Sequence, residues 1–382
     1  MTKKTSLCLF FTRAVTLKKW VESGLLSREN VFYEQFINSH FFEKIYWVTY
    51  GHNDDYFAKT LYKNNMLNSN IHILSKPRIY NFLPLGCFLY SFFAPLHHRK
   101  SIKKCRYIKS NQIDGGWTAL IASLLFKKLL IIRCGYGASS HFRGKAFFKY
   151  SFFKITEYFL YKYSNSVIVT SKHESDYIKE SFPGINPLIV SNYVDTRLFH
   201  PRNIKKSKCN FLFVGRLSKD KNLFSLIKAF SNKNLSLDIY GSGELKEDLY
   251  KSSFECNSQV NFKGSVANNM LPKIYNKYKY FILTSYREGM PKALLEAMSS
   301  GCVCIGTNVV GINEVIVNGE NGFLIDGNDT VSISKFLDSR IFDKDSKTIT
   351  RNSRKNIISN YSLEQVVKKE KKIYMKLLRN EN

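Results

Sequence analysis

Hydrophobic and polar positions alternate regularly along the second half of the chain, in short apolar runs separated by amphipathic stretches. Three stretches have apolar residues at helical spacing, namely "NLFSLIKAF" (222–230), "NMLPKIYNKY" (269–278) and "PKALLEAMSS" (291–300). The β-rich runs between and around them are "NFLFVGR" (210–216), "LSLDIYGSG" (235–243), "VNFKGSV" (260–266), "YFILTS" (280–285), "CVCIGT" (302–307) and "GFLID" (322–326). This alternation predicts parallel strands joined by right-handed crossovers in a doubly wound sheet.

The first half has a similar pattern and predicts a second α/β sheet. Its strand candidates are "SLCLFF" (6–11), "KIYWVTY" (44–50), "IHIL" (71–74), "RYIKS" (106–110), "LLIIRCG" (129–135) and "SVIVTS" (166–171). The polar, basic segment 191–210 has no strong periodicity and is interpreted as a linker, with a boundary near Pro201. The sequence therefore predicts two Rossmann-like domains facing each other across a cleft, an N-terminal one (1–200) and a C-terminal one (201–360).

The final segment (361–382) reads as a basic amphipathic helix. Its apolar side contains Val366, Val367, Ile373, Leu377 and Leu378. Such a helix either packs on the first domain or meets a membrane surface.

The charge of the chain points to an anionic partner. Its 382 residues include 58 Lys and Arg against 30 Asp and Glu, and residues 1–207 alone hold 31 basic and 12 acidic side chains. Anionic lipid headgroups or phosphorylated substrates fit this excess, and a compositional bias is the alternative. Nucleic acid is not expected as a partner, because the aromatic residues lie within apolar patterns instead of alternating with Lys and Arg; binding of a polyanion is the remote alternative.

The segment 79–96, "IYNFLPLGCFLYSFFAPL", has no formal charge and is followed by "HHRKSIKK". Pro84, Gly86 and Pro95 are expected to interrupt a helix that is already short for crossing a bilayer. It is therefore either an apolar patch on a membrane surface or a buried part of the first domain.

The eight cysteines include no C-x-x-C pair, and no secretory leader precedes them. Both observations predict a reducing cytoplasm. Cys302 and Cys304 are interpreted as buried small hydrophobes, and no metal site or cofactor is predicted.

Candidate binding residues follow the strands of the second half, at the edge of a parallel sheet where ligands bind. Glu288 lies in the loop after "YFILTS" and Glu296 lies inside the helix that follows, with Pro291 expected at the first helical position. The amides at the start of this helix are suited to phosphate. The candidates are Gly215, Arg216, Lys221, Gly241, Gly243, Ser265, Glu288, Gly289, Met290, Pro291, Lys292, Ala293 and Glu296. A surface pair between Lys292 and Glu296 is the alternative for these two residues.

These motifs resemble those of the retaining family 4 (group 1) glycosyltransferases, which have the GT-B fold. "EGMPKALLEAMSSG" is similar to the family's E-x7-E motif, and "FVGRLSKDKN" is similar to its diphosphate-binding loop. "SVIVTSKHESDYI", "SNYVDTRLF" and "GINEVIVNGENGFLID" are similar to further family segments, so that the resemblance covers most of 166–329. It favours packing of the final helix on the first domain.

The resemblance implies transfer of a sugar from a nucleotide-diphosphate donor with retention of configuration. Arg216 and Lys221 would neutralise the leaving diphosphate, Glu296 would hold the ribose, and Glu288 with the backbone near Gly289 would hold the donor sugar. Neither a protein nucleophile nor a metal is then required. The expected acceptor is a glycan for a bacterial capsule, O-antigen or lipopolysaccharide. The basic first half and the apolar segment 79–96 add the expectations that this glycan is lipid-linked and that the enzyme lies at the inner face of the cell membrane.

The first domain departs from the family pattern in two loops. The opening loop "FTRAVTLKKW" lacks a glycine pair, and Cys134 stands near the position where many relatives have a histidine. Arg133 and His141 remain as acceptor-side candidates. A nucleotide-sugar epimerase or hydrolase of the same fold is the alternative activity.

Overall fold

The computed structural model describes residues 5–135, 137, 139, 142, 147–204, 206–343 and 345–379. The chain divides into two compact units, one that runs to Val190 and includes the segment from Val367 onward, and one that comprises Ser191–Val366. The boundaries expected from the sequence were near Pro201 and at residue 361.

The first unit is built on a parallel sheet of seven strands in the described residues, in the order β3-β2-β1-β4-β5-β6-β7. Six of these strands were predicted, and the short β7 was not. The strands are β1 (Ser6–Phe10), β2 (Lys44–Val48), β3 (Ile71–Leu74), β4 (Tyr107–Ser110), β5 (Leu129–Cys134), β6 (Ser166–Val169) and β7 (Leu188–Ile189).

Helices cover this sheet, because its central strands are apolar on both faces. All five residues of β1 are buried, and Cys8 and Phe10 share one core cluster with helix residues such as Tyr90, Ala119 and Leu160. The helices are α1 (Leu17–Glu22), α2 (Leu25–Asn38), α3 (Asp54–Lys63), α4 (Gly86–His97), α5 (Arg99–Ile102), α6 (Gly116–Phe126), α7 (Phe147–Lys162) and α8 (Lys172–Ser181).

The segment 79–96 corrects one expectation. Pro95 lies inside α4, which continues to His97, so this proline does not end the helix. A proline in the last turn removes one backbone donor there and leaves the earlier turns intact. The segment is part core and part surface, since Tyr90 and Ala94 are fully buried whereas Phe82 is 85% exposed. Across the described part of the chain, the helices are all too short or too polar to cross a bilayer.

The second unit contains a parallel sheet of six strands in its described residues, in the order β10-β9-β8-β11-β12-β13. All six correspond to predicted strands. They are β8 (Ser207–Val214), β9 (Ser236–Tyr240), β10 (Val260–Gly264), β11 (Tyr278–Leu283), β12 (Val303–Thr307) and β13 (Phe323–Ile325). The helices are α9 (Leu223–Ala229), α10 (Lys246–Glu255), α11 (Leu271–Tyr275), α12 (Lys292–Ser299), α13 (Thr330–Ser339) and α14 (Ser346–Asn360).

Short 3₁₀ segments connect several of these elements. They are Arg78–Asn81, Ile113–Gly115, Lys219–Lys221, Asn268–Met270 and Ile341–Asp343.

The last helix, α15 (Leu363–Arg379), joins the first unit from Val367 onward. Tyr107 on β4 donates a hydrogen bond to the backbone oxygen of Tyr374 at 2.9 Å, and Lys109 on β4 forms a buried ion pair with Glu370. Four of the five apolar residues predicted on this helix are less than 10% exposed: Val366, Val367, Ile373 and Leu377.

Candidate functional site

The loops after β8 and β11 define the candidate site. These strands are neighbours in the sheet, and the strand order reverses between them. In open parallel sheets, a crevice opens outside the carboxyl ends of the strands at such a point. The β8 loop carries Arg216 and Lys221, and the β11 loop carries Glu288.

The two loops are joined by an ion pair between Lys221 and Glu288, which lie 67 positions apart in the chain. The backbone N–H of Tyr286 also donates to the backbone oxygen of Asp220 at 2.9 Å. The Lys221 side chain is 20% exposed and that of Glu288 is 11% exposed. An ammonium group has three donors, so Lys221 can contact an anion while it holds Glu288.

The carboxylate of Glu288 is oriented from its own loop. The Ser285 hydroxyl donates to Oε1 of Glu288 at 2.6 Å, and this is the oxygen that Lys221 also contacts. Both contacts fix the carboxylate through one oxygen, so Oε2 can accept from a ligand. Ser285 was not among the predicted site residues.

The loop after β12 supports the backbone at Glu288. The N–H of Glu288 donates to the backbone oxygen of Val310 at 3.2 Å. Gly311 has φ of +83°, and a Cβ at this position would lie 2.5 Å from the oxygen of Glu288 and 2.6 Å from that of Gly289. A side chain at residue 311 would therefore displace the Glu288 loop. A glycine in the short loop after a strand, here four positions beyond Thr307, is the sequence signal that could have identified it.

Two predicted glycines bring the β9 loop against the β8 loop. A Cβ on Gly241 would lie 1.8 Å from the oxygen of Gly215, and one on Gly243 would lie 2.2 Å from that of Leu217. The backbone segments are thus in direct contact on either side of Arg216. Arg216 itself is exposed.

The start of α12 differs from the prediction by one position. Pro291 is the N-cap with φ of −75° and ψ of 110°, and the first helical residue is Lys292. The extended ψ excludes Pro291 from the helix, although its backbone oxygen accepts from Leu294 at 3.2 Å. The oxygen of Met290 accepts from the side-chain amide of Asn192 at 2.8 Å, which holds this turn in place. The first turn, which includes Ala293, begins three residues after Gly289, and its amides carry the positive end of the helix dipole.

Glu296 lies in α12 and is only 7% exposed. Its Oε2 accepts a hydrogen bond from the hydroxyl of Tyr275 at 3.0 Å, and Tyr275 is fully buried. Burial first, and then the negative charge of Glu296, raise the pKa of Tyr275 well above its ordinary value, so the hydroxyl stays a donor. The carboxylate of Glu296 is thus buried, and the alternative of its pairing with Lys292 stays a prediction. Lys292 lies over the ring of Tyr193, 5.9 Å from its centre.

The remaining candidates lie outside the loops after β8, β9 and β11 and outside α12. Ser265 is exposed after β10, the edge strand two positions from β8 in the sheet. Arg133 belongs to β5 of the first unit, where its backbone N–H donates to the Ser110 hydroxyl at 3.1 Å. His141 falls outside the described residues. Burial raises the pKa of Cys134, at the end of β5, well above its ordinary value, so this thiol is protonated.

Two buried carboxylates hold the backbone after β5, a feature that the sequence did not indicate. Glu174 Oε1 accepts from the N–H of Gly137 at 3.0 Å, and Glu157 Oε1 accepts from the N–H of Ser139 at 3.2 Å. Glu157 is 1% exposed and Glu174 is 2% exposed. They act on the backbone of the loop in which the acceptor-side candidates were sought.

Part of the second unit is similar to a known family of proteins. Residues 195–360 match the family described as glycosyl transferases group 1. A UDP-Gal:alpha-D-GlcNAc-diphosphoundecaprenol alpha-1,3-galactosyltransferase of Escherichia coli is 30% identical over 60% of this chain and 64% of its own length. The O-antigen biosynthesis glycosyltransferase WbnH of Escherichia coli is 32% identical over 56% of this chain and 62% of its own length. The chain thus spans less than two thirds of either relative.

Among solved structures, Anabaena HepE in complex with UDP and glucose superposes with a TM-score of 0.73 over 98% of this chain and 100% of its own, at 14% identity. At this identity the likeness concerns the fold. The predicted GT-B class, with two Rossmann-like domains, is confirmed. The match of residues 195–360 to this family confirms the predicted resemblance to the group 1 glycosyltransferases.

Proposed function

We propose that this chain transfers a sugar from a nucleotide-diphosphate donor to a lipid-linked glycan, with retention of anomeric configuration, in the synthesis of a bacterial surface polysaccharide. The observation that carries the proposal is the joining of the β8 and β11 loops through Lys221 and Glu288, directly before the start of α12. Lys221, Arg216 of the same loop and the amides at the start of α12 are groups of the kind that stabilise an anionic leaving group, and this supports the proposal. The Escherichia coli relative is named for a UDP-sugar donor and a diphosphoundecaprenol-linked acceptor.

Each residue has one role in the proposed reaction. The bond between the anomeric carbon and the donor phosphate breaks, and an acceptor hydroxyl forms the new bond on the same face. The departing phosphate takes the proton of that hydroxyl, so no protein nucleophile is needed. Arg216 and Lys221 stabilise the charge that develops on the diphosphate, and the proposal requires no metal for this step.

The two glutamates hold opposite parts of the donor. Glu296, oriented by Tyr275, accepts from the ribose hydroxyls. Glu288, oriented by Ser285 and Lys221, accepts from the donor sugar. The backbone at Gly289 to Ala293 contacts the diphosphate. In this proposal the first domain binds the acceptor, at the inner face of the cell membrane.

The test is a transfer assay with a panel of nucleotide sugars and a diphosphoprenol-linked acceptor. Arg216→Ala is expected to lower kcat about 10²–10³-fold, the usual effect of losing one donor to transition-state charge. Glu296→Gln is expected to weaken donor affinity, and Lys219→Ala, an exposed residue of the same loop, is the matched control. Anomeric NMR of the product checks retention, and activity in EDTA checks the absence of a metal requirement.

Two results would contradict the proposal. One is unchanged donor affinity and turnover in both site variants. The other is a product that forms without acceptor, because release of free sugar identifies a hydrolase and conversion of the donor identifies an epimerase.

A further inference from the structure

The most apolar side of helix α7 is exposed to solvent and does not face the core. Phe148, Phe152, Ile155 and Phe159 follow the spacing of one helical face and are 87%, 64%, 60% and 43% exposed. The opposite side of the helix contains the buried Glu157. A surface helix of a globular domain ordinarily has the reverse arrangement, so this stripe is suited to a partner other than the core.

Helix α4 has the same arrangement. Phe88, Phe92 and Leu96 lie on one face and are 45%, 43% and 47% exposed, and Leu85, directly before the helix, is 77% exposed. Its buried residues, which include Tyr90, are small or carry a polar group. The apolar segment that the sequence singled out at 79–96 therefore divides between core and surface.

Helix α6 packs between α4 and α7, so the exposed side chains of the three helices form one continuous surface. A Cβ on Gly116 of α6 would lie 3.0 Å from Leu160 of α7. On the other side, the hydroxyl of Tyr50 lies 2.9 Å from that of Ser91 on α4 and 3.4 Å from that of Thr118 on α6. Helix α6 exposes Trp117, Leu124 and Leu125 by 37%, 59% and 52%. We call the exposed apolar side chains of α4, α6 and α7 the three-helix face.

A basic cluster adjoins this face. Lys103 lies over the ring of Phe126 at the end of α6, 6.0 Å from its centre, and Lys128 donates to the backbone oxygen of Lys103 at 2.9 Å. Residues 79–163 contain 14 Lys and Arg but only 2 Asp and Glu. The members of the cluster are Arg99, Lys100, Lys103, Lys104, Lys127 and Lys128.

We propose that the three-helix face docks on the surface of an anionic lipid bilayer. The aromatic and aliphatic side chains enter the boundary between headgroups and acyl chains, and the basic cluster contacts the headgroups. Exposed apolar area next to Lys and Arg is the combination that binds such an interface. Binding of the face to a membrane does not depend on sugar transfer. The purpose of that binding, access to a lipid-linked acceptor, rests on the proposed function.

The charge of the cluster decides against a second copy of this chain as the occupant. A two-fold dimer through this face would add two such basic clusters to one interface. Repulsion between the like charges opposes that association, whereas anionic headgroups attract the same cluster.

The test measures partition of the full chain onto vesicles of phosphatidylcholine with and without phosphatidylglycerol, in the absence of nucleotide sugar. The triple variant Phe148→Ser, Phe152→Ser, Phe159→Ser is expected to lower partition at least about ten-fold. The matched control is Tyr250→Ser, Phe254→Ser, Val331→Ser in the second unit, where these residues are 63%, 86% and 61% exposed. It is expected to bind as the wild type does.

A charge-reversal pair separates the electrostatic contribution. Lys100→Glu with Lys103→Glu is expected to lower partition onto phosphatidylglycerol vesicles at least about ten-fold, since each basic residue near an anionic surface contributes roughly five-fold. Lys246→Glu with Lys251→Glu, on α10, has the same net charge and is expected to keep most of the binding. Thermal melting of every variant checks that it is folded.

Three results would overturn this inference. The first is a wild-type protein that does not bind anionic vesicles. The second is a triple serine variant that binds vesicles as well as its control does. The third is a wild-type protein that forms a dimer which is lost in the triple variant and kept in the control. Protein that binds vesicles through this face but transfers no sugar supports the docking surface and refutes the proposed function. Protein that transfers sugar but ignores vesicles refutes the docking surface alone.

Discussion

Each unit of this protein contains a Lys–Glu ion pair between segments that are distant in the sequence, and the two pairs differ in exposure. In the first unit, the side chains of Lys109 and Glu370 are 1% and 0% exposed, and Lys109 lies 5.6 Å from the ring centres of Phe32 and Tyr33. In the second unit, the side chains of Lys221 and Glu288 are 20% and 11% exposed. No ligand can reach the first pair without unfolding, whereas the second lies in loops at the carboxyl edge of its sheet.

The comparison shows that residue type alone does not separate structure from function. Both pairs join a lysine and a glutamate across two elements, yet burial makes Lys109–Glu370 a packing contact of α15. Burial lowers the pKa of Lys109, and the charge of Glu370 opposes that shift. The lysine therefore depends on its partner to remain charged.

The largest expected effect is on the buried pair. Glu370→Gln leaves a buried lysine without its counter-charge, and we expect the free energy of unfolding to fall by about 3–5 kcal/mol in urea titrations. Replacing both residues, Lys109→Met with Glu370→Leu, is expected to restore stability. Glu22→Gln, which breaks the exposed pair of Lys18 and Glu22, is the control and is expected to change little. A double variant no more stable than Glu370→Gln would contradict this account.

A smaller effect is expected at His98, a partly buried ionisable group of the first unit. Burial, followed by the charge of His97, lowers its pKa to about 4, and its Nε2 lies 2.8 Å from the hydroxyl of Tyr90. The unfolded chain then binds more protons than the folded one between pH 6.5 and 4, so stability falls as the pH falls through this window. Relative to His98→Gln, the wild type is expected to lose about 2–3 kcal/mol between pH 7.5 and 4. Parallel stability curves for the two proteins would rule this out.

The smallest effect concerns the second unit, where Tyr275 orients Glu296. Tyr275→Phe removes the hydroxyl that donates to the buried carboxylate, and a hydrogen bond to a charged group contributes about 1.5–3 kcal/mol. Part of that loss should appear as nucleotide binding that is weaker by about five- to ten-fold in calorimetry. Tyr250→Phe, at an exposed tyrosine, is the control. Nucleotide affinity equal in the two variants would mean that Glu296 does not need this contact.

Apart from the short, exposed β7, the strands of both units could be predicted from the sequence, because buried parallel strands are apolar runs. The residues of the candidate donor site could also be proposed from the sequence, since Arg216, Lys221 and Glu288 occur in loops that follow such runs. The residues that support them could not be predicted. Ser285 and Tyr275 contribute hydroxyl groups that no spacing rule distinguishes from ordinary surface or core positions.

The sequence could not reveal the buried acids, and it left open which apolar helix faces point outward. Glu157 and Glu370 each stand in a helix that reads as amphipathic, where a glutamate ordinarily marks the solvent side. In α7 the reverse holds, because Glu157 holds the backbone of Ser139 while Phe148 and Phe152 face outward. Only tertiary contacts decide which side of such a helix is covered.

The central claim is that Lys221 and the start of α12 form a diphosphate site, and nucleotide binding tests it most directly. Calorimetry with UDP, GDP and ADP should find one nucleotide that binds the wild type and Lys219→Ala with affinities within about two-fold of each other. Lys221→Ala should bind the same nucleotide at least about ten-fold more weakly, because it loses a charge-assisted contact to phosphate. Equal affinity in Lys221→Ala and Lys219→Ala would contradict the account.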